Sequence, residues 1–297
     1  MKECLYILLF SVALIIPGAD GVALSDFNEN LDIAGLAKEL SISPSIVGED
    51  NRQEITRDNA QGLEKAVVLI VTFTDDPEFA NFCAGAMISS NAVLTAAHCI
   101  VDDNGKYGLS SDVVAVVAKN PPNSVNANSL VKTSSSEYHV PDTYIKYSKE
   151  NKPKYLTSEY DYAIIVLKDP IGLTTGWFDL NIVPIEQLKY SSVTLIGRSD
   201  DMGFASLWKS EGSVNPLYVL SDNTFTYNAD MLIGSSGCPV LLKDEPNQII
   251  GINIVQIGDN DYVAEGYPNV GLRIRQDIID FIQSKVDLPK ESPYIKN

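Results

Sequence analysis

The sequence of 297 residues predicts an all-β fold of sandwich or barrel type, and three observations predict it. From Ala66 onward, short apolar or alternating runs follow one another, each only long enough for a strand. Asn, Asp, Gly, Ser and Pro separate them, residues that turn or break the chain. Helical spacing of apolar residues is sustained near the C-terminus, and the alternation of strand and helix that marks a parallel sheet is absent.

The runs are AVVLIVTFT at 66–74, AGAMIS at 84–89, AVLT at 92–95, VVAVVA at 113–118, AIIVL at 163–167, VTLIG at 193–197, PVLL at 239–242 and IIGINIV at 249–255. Each is expected to be a strand. Residues 120–160 are polar and rich in Ser, Asn, Lys and Tyr, too long a stretch for a hairpin, so elaborated loops around one or two strands are expected. The one helix that the periodicity supports lies near Arg275 to Lys285, where Ile278, Ile279, Ile282 and Val286 recur at helical spacing. Asp277 near its start and Lys285 near its end suit the helix dipole, and Pro289 stops it.

Composition bounds the partners. The chain is 45% hydrophobic and 21% charged, enough to bury a substantial core. Its formal charge of -17 repels phosphate backbones and anionic lipid, so nucleic acid is not expected as a partner. Residues 1–21 read as a secretory signal: Lys2, an apolar run from Leu5 to Ile16, a break at Pro17-Gly18, then small residues. That run is shorter than the roughly twenty residues a membrane span needs, so no stable anchor is expected and the protein is expected outside the cell. Residues 22–45 are acidic and weakly periodic, as in a pro-segment or N-terminal arm. Loss of the signal leaves Cys83, Cys99 and Cys238 in an oxidising compartment, where one disulfide and one odd cysteine are expected.

Beyond the signal there are only two histidines, His98 and His139, so imidazole chemistry must use one of them. A hydroxyl is a poor nucleophile at neutral pH and needs a base within hydrogen-bond reach, itself oriented by a carboxylate. TAAHC at 95–99, DYAIIVL at 161–167 and GSSGCPV at 234–240 supply His98, Asp161 and Ser236 for those roles. Metal sites find no support, because the sequence holds no spaced Cys/His cluster and no acidic calcium-loop pattern, and no cofactor is expected.

These motifs, in this order, resemble the trypsin/chymotrypsin-fold serine proteases. The resemblance extends to YPNVGLRIRQDIIDFIQS at 267–284, similar to the family's closing strand and C-terminal helix. A narrower likeness is to the secreted glutamyl endopeptidases, carried by SIVGEDNRQEIT at 45–56, LWKSEGSV at 207–214 and YNADMLIGSSGCPV at 227–240. The resemblance implies two six-stranded antiparallel β-barrels with a C-terminal helix. Residues 46–180 would form the first barrel with His98 and Asp161, and residues 181–297 the second with Ser236. It implies a secreted, monomeric endopeptidase with Ser236 as nucleophile and the backbone N–H groups of Gly234 and Ser236 as the oxyanion hole. Its partners would be protein or peptide substrates and protein inhibitors.

The family pattern also implies a Cys83–Cys99 disulfide holding the base-bearing segment, and makes Cys238 a buried thiol. IVGE at 46–49 resembles a processed N-terminus, yet Ser235 stands where trypsins place the Asp that receives the new ammonium, so activation of any zymogen must differ. The substrate pocket falls on Asp230, Met231, Asn253, Val255 and Asn269. Asp230 is placed to select a basic side chain, or else to face water in a turn; Asn253 and Met231 replace the His and Thr that grip acidic side chains, and Asn269 narrows the wall. Basic, small or polar, and acidic preferences all stay open. The rival reading is a non-catalytic protease homologue acting as a secreted binding or regulatory protein.

Overall fold

The computed structural model describes residues 46–55, 60–73, 80–102, 105–107, 115–117, 131–133, 135–198, 207–215, 221–256 and 266–289. The expected signal and the arm at 22–45 lie outside them. Two sheets make the fold. The first holds β2 (Val67–Phe73), β3 (Ala80–Met87), β4 (Ala92–Thr95), β5 (Ala115–Val117), β6 (Val131–Thr133), β7 (Ser135–His139) and β8 (Ala163–Leu167), all antiparallel, in the order β6-β5-β2-β3-β4-β8-β7.

The second sheet holds β1 (Gln53–Ile55), β10 (Ser192–Gly197), β11 (Leu207–Ser213), β12 (Thr224–Tyr227), β13 (Pro239–Leu242), β14 (Glu245–Gln256) and β15 (Asn269–Arg273) in the order β1-β11-β10-β13-β14-β15-β12. Two-residue β9 (Asp179–Leu180) adds in parallel to β14. The sheets thus have seven and eight strands where six each were expected. The additions are short or polar edges such as β1, β6 and β9, whose backbone pairing leaves no apolar pattern to read. β1 also belongs to the second sheet, through Glu54 opposite Trp208, although its residues precede the whole first sheet.

AVLT and AIIVL are strands because both of their faces are covered. Every residue of β4 and β8 is buried, and they sit beside each other inside the first sheet. Burial on both faces selects continuous apolar runs instead of alternation. Their register, Ala92 opposite Val166 through Thr95 opposite Ala163, fixes where the two chain ends beyond them emerge. His98 leaves the end of β4 three residues after Thr95, and Asp161 enters β8 two residues before Ala163.

Residues 120–160 depart from the expectation of loops and strands alone. They contain β6 and β7 but also α1 (Asp142–Lys149) and α2 (Lys154–Ser158), which Pro141 and Pro153 open. In α1 only Tyr144 and Ser148 are buried, so the buried stripe is too thin to show as a hydrophobic period. Single-turn helices α3 (Gly172–Thr175) and α4 (Ile185–Leu188) were equally invisible. The C-terminal helix α5 (Gln276–Gln283) forms as its spacing predicts, with Ile278 and Ile282 buried. Its Phe281 meets Tyr162 edge-on at 5.3 Å, and Arg275 just before it donates to the Glu159 carbonyl. The last helix therefore braces the segment that carries Asp161. Burial there pushes the Tyr162 hydroxyl up to about 12.

His139 ends β7 opposite Ile164, with Glu137 3.7 Å away. Burial lowers its affinity for a proton, which Glu137 only partly offsets. Between this lowered value and the ordinary histidine value of about 6.5, the unfolded chain binds more protons than the folded one. Its contribution therefore makes stability fall as pH drops through that window. Urea unfolding between pH 5 and 7.5 should show a shallower decline for His139→Gln than for the parent protein; equal slopes would remove His139 from the account.

Candidate active site

The β4–β8 register brings His98 and Asp161 into contact. His98 lies in a 3-10 turn at Ala97–Cys99, and Asp161 is held by the Ser158 carbonyl through its own N–H. Asp161 Oδ2 is 2.7 Å from His98 Nδ1, while Oδ1 accepts the His98 backbone N–H at 2.9 Å. One carboxylate thus fixes both the ring and the backbone that carries it. The Asp161 side chain is 9% exposed and that of His98 30%, so the acid is shielded and the imidazole reaches the surface. With Nδ1 donating to a carboxylate, the neutral ring carries its lone pair on Nε2.

Ser236 comes from the other sheet, on the loop that enters β13. Its carbonyl accepts the Ala84 N–H at 2.8 Å, which ties the loop to β3 of the first sheet. Ala84 neighbours Cys83, and Cys83 is bonded to Cys99, next to His98. The Thr95 hydroxyl donates to the Ala84 carbonyl at 2.7 Å. The His98 turn and the Ser236 loop therefore hang on the same two residues of β3. The expected disulfide is present, and its role as a brace extends to the serine. Replacing both cysteines by serine should cost about 3 kcal/mol of stability in the chain-entropy model, read as a lower urea midpoint; an unchanged midpoint would show that packing alone holds the turn.

The loop distributes its amides unevenly. Ser235, Gly237 and Cys238 donate to the carbonyls of Leu232, Asn253 and Ser235, whereas the amides of Gly234 and Ser236 donate to no group among the described residues. Gly234 takes a φ of +93°, a conformation that a side chain resists. Two N–H groups without a partner among the described residues, beside a partly buried serine, are suited to an oxygen that develops negative charge. Gly237 is constrained more tightly still. At φ +80°, a Cβ there would overlap Thr95 Oγ1 and the Ala84 carbonyl and lie 2.9 Å from the Ala96 amide. Gly237→Ala should combine about 1–2 kcal/mol of backbone strain with about 1–3 kcal/mol of overpacking. A thermal midpoint equal to the parent's would show that the loop can move aside.

The pocket residues are all buried where described. Asn253 and Asn269 are 1% and 0% exposed, and Met231 6%. The Tyr227 hydroxyl donates to Asn253 Oδ1 at 2.6 Å, and Asn253 Nδ2 donates to the Ser235 carbonyl at 3.3 Å. Tyr227 Oη also reaches Met231 Sδ at 3.5 Å, and burial raises this phenol far beyond any deprotonation near neutrality. Asn269 Nδ2 donates to the Ala229 carbonyl at 2.7 Å. The backbone of Val255 pairs with Val270 in β14 and β15. Asn253 thus braces the loop that carries Ser236 from the position expected to grip substrate, and Tyr227 joins it as a residue the sequence did not flag; the Tyr that opens YNADMLIGSSGCPV was its one signal.

Asp230 departs from the reading in which it faces water in a turn. It is 2% exposed, so it does not face water. Its Oδ1 accepts the Val47 N–H at 2.7 Å and its Oδ2 the Asn51 N–H at 2.9 Å, so the carboxylate is already spent on the chain itself. The expectation that it selects a basic side chain would place a substrate cation on a carboxylate that already accepts two backbone N–H groups. Ser235 is buried, and its hydroxyl donates to the Arg198 carbonyl at 2.6 Å. Cys238 is a fully buried free thiol that burial holds protonated, unsuited to attack.

Among the described residues, the one group with three metal-ligand side chains is Cys83, His98 and Cys99. Its sulfurs are joined to each other and its imidazole Nδ1 faces Asp161, so this donor set does not fit a metal ion.

The family described as Trypsin matches residues 56–279. A relative named "Extracellular metalloprotease", from Bacillus subtilis, is 24% identical over 239 residues, covering 80% of this chain and 69% of its own. The "Glutamyl endopeptidase" of Bacillus licheniformis is 24% identical over 237 residues, covering 80% of this chain and 67% of its own. Among solved structures, a Glu endopeptidase in complex with MPD superimposes with a TM-score of 0.60 at 23% identity, covering 80% of this chain and 98% of that one.

Proposed function

This chain belongs to the trypsin family, and on that footing we propose that it is a secreted serine endopeptidase working through Ser236, His98 and Asp161. The observation that carries the reading is the two-point hold of Asp161 on His98, at Nδ1 and at the backbone N–H. Ser236 Oγ attacks the scissile carbonyl and gives its proton to His98 Nε2; the imidazolium is stabilised by Asp161, and the former carbonyl oxygen takes the negative charge opposite the Gly234 and Ser236 amides. Collapse of this intermediate breaks the C–N bond, and His98 returns its proton to the leaving amine. A water molecule deprotonated by His98 then attacks the acyl carbonyl, the ester C–O bond to Ser236 breaks, Ser236 Oγ takes back the proton from His98, and the acid is released. Substrates are proteins or peptides, and the protein is expected to act as a monomer open to protein inhibitors.

Secretion is supported by the leader-like residues 1–21, by the Cys83–Cys99 bond and by the extracellular relative. Among the described residues no helix is long and apolar enough to cross a membrane. Labelling with a fluorophosphonate, followed by peptide mapping, tests the reading. Modification at Ser236 is expected, and it should vanish in Ser236→Ala. Folded, N-terminally processed protein that takes up no label would favour the rival, a non-catalytic binding or regulatory protein.

A further inference from the structure

The carboxylate of Asp230 lies six residues before Ser236, on the same loop, and it is occupied by a segment 179 to 183 positions away in the chain. Both oxygens accept backbone N–H groups, from Val47 and Asn51. We propose that Asp230 is a positioning residue that ties residues 46–52 to the nucleophile loop and makes that N-terminal segment a structural part of the active site; this rests on the serine-protease reading above.

Three features carry the proposal. First, a buried carboxylate must be compensated, and here the compensation is two charge-assisted bonds from one short segment. Second, that segment is anchored independently of Asp230. β1 pairs with β11, and the Arg52 guanidinium lies 6.0 Å from the ring centroid of Trp208 on β11 while pairing with Asp50 at 2.8 Å. Gly48, at φ +82°, lets the chain turn between the two amides that meet Asp230. Third, the loop from Asp230 to Ser236 is pinned at both ends. The Ser210 hydroxyl of β11 donates to the Asp230 carbonyl at 2.8 Å, and at the far end Asn253 and Ala84 hold Ser235 and Ser236. Release of the Asp230 end would let the loop drift relative to its other end, and small displacements of a reacting group are costly to rate.

Two consequences separate this role from substrate binding. Asp230 no longer offers a free charge to a lysine or arginine side chain, so no preference for basic residues is expected. Removing the carboxylate should lower turnover without altering which side chain is preferred. Both differ from the behaviour of an acid at a pocket floor.

The test begins with amide hydrogen exchange on the full-length protein as secreted. In the wild type the Val47 and Asn51 amides should be protected, and in Asp230→Ala both should exchange about 10- to 100-fold faster, the loss expected for a hydrogen bond to a charged acceptor. Asp230→Asn, which keeps one acceptor oxygen, should lose protection at one amide and retain most of it at the other. The fluorophosphonate labelling rate at Ser236 should fall about 10- to 100-fold in Asp230→Ala, with kcat falling more than KM rises and the side-chain preference unchanged. Rapid exchange at Val47 and Asn51 in the wild type would overturn the proposal without any variant having to fold. A selective loss of basic substrates at an unchanged labelling rate would overturn it in favour of a substrate-binding acid. If the wild type takes no label while its two amides are protected in an Asp230-dependent way, the protease reading fails and the tie between Asp230 and the segment stands.

Discussion

Ser236→Ala is expected to reduce kcat about a million-fold on any peptide that the parent protein cleaves. No side-chain hydrogen bond of Ser236 is found among the described residues, and its loop is held by its carbonyl, so the substitution removes the attacking atom and leaves the fold in place. The thermal midpoint should accordingly stay close to the parent's. His98→Ala should cost a similar factor, and the double variant little more than either alone, because base and nucleophile act in one step. The activity that remains should still exceed the uncatalysed rate about 1,000- to 10,000-fold, since the Gly234 and Ser236 amides are untouched. Steady-state kinetics on the two single variants and the double decide the matter. Losses that simply multiply would mean that the two residues do not share a step, and a Ser236→Ala protein with parental activity would remove the mechanism altogether.

Asp161→Asn is expected to lower kcat about 10,000-fold while the protein still folds. The two oxygens of Asp161 serve different partners. An asparagine can keep its carbonyl oxygen on the His98 backbone N–H, where Oδ1 now sits at 2.9 Å. Its NH2 then faces Nδ1, where Oδ2 now sits at 2.7 Å, and a donor meeting a donor forces the imidazole proton onto Nε2. The ring would then present an N–H where the serine needs a lone pair, and the carboxylate that stabilises the imidazolium is lost as well. Loss of turnover with a nearly unchanged unfolding midpoint is the signature. A tenfold loss or less would show that Asp161 holds the turn and does not orient the base.

How far the site could be read from the chain depended on the kind of interaction involved. TAAHC, DYAIIVL and GSSGCPV were legible because covalent neighbours set their chemistry: His98 and Asp161 follow and precede buried strands whose apolar runs show directly, and Gly234 and Gly237 bracket Ser236 where the backbone needs positive φ. The sequence alone predicted one disulfide, and the family resemblance paired Cys83 with Cys99, which stand on either side of AVLT. The helices α1 and α2 were not, because each buries too little apolar surface to leave a period. β1 and β9 were not, because a strand at a sheet edge is defined by backbone bonds that carry no side-chain code.

The pocket residues mark the boundary most sharply. Asp230, Asn253 and Asn269 were located by the family pattern, yet their partners come from residues up to 183 positions away. A polar side chain has the same spelling whether it awaits a substrate or satisfies an internal donor, and only the tertiary neighbours decide which. By itself the sequence determined the all-β class, the expectation of one disulfide and the three motifs on which the proposed triad rests, because local pattern carries them, while the pairing of Cys83 with Cys99 came from the family resemblance. The tertiary structure decided that one carboxylate holds His98 twice, that β3 links the His98 turn to the Ser236 loop, and that Asp230 is bonded to the N-terminal segment, because each of these is a contact between distant parts of the chain.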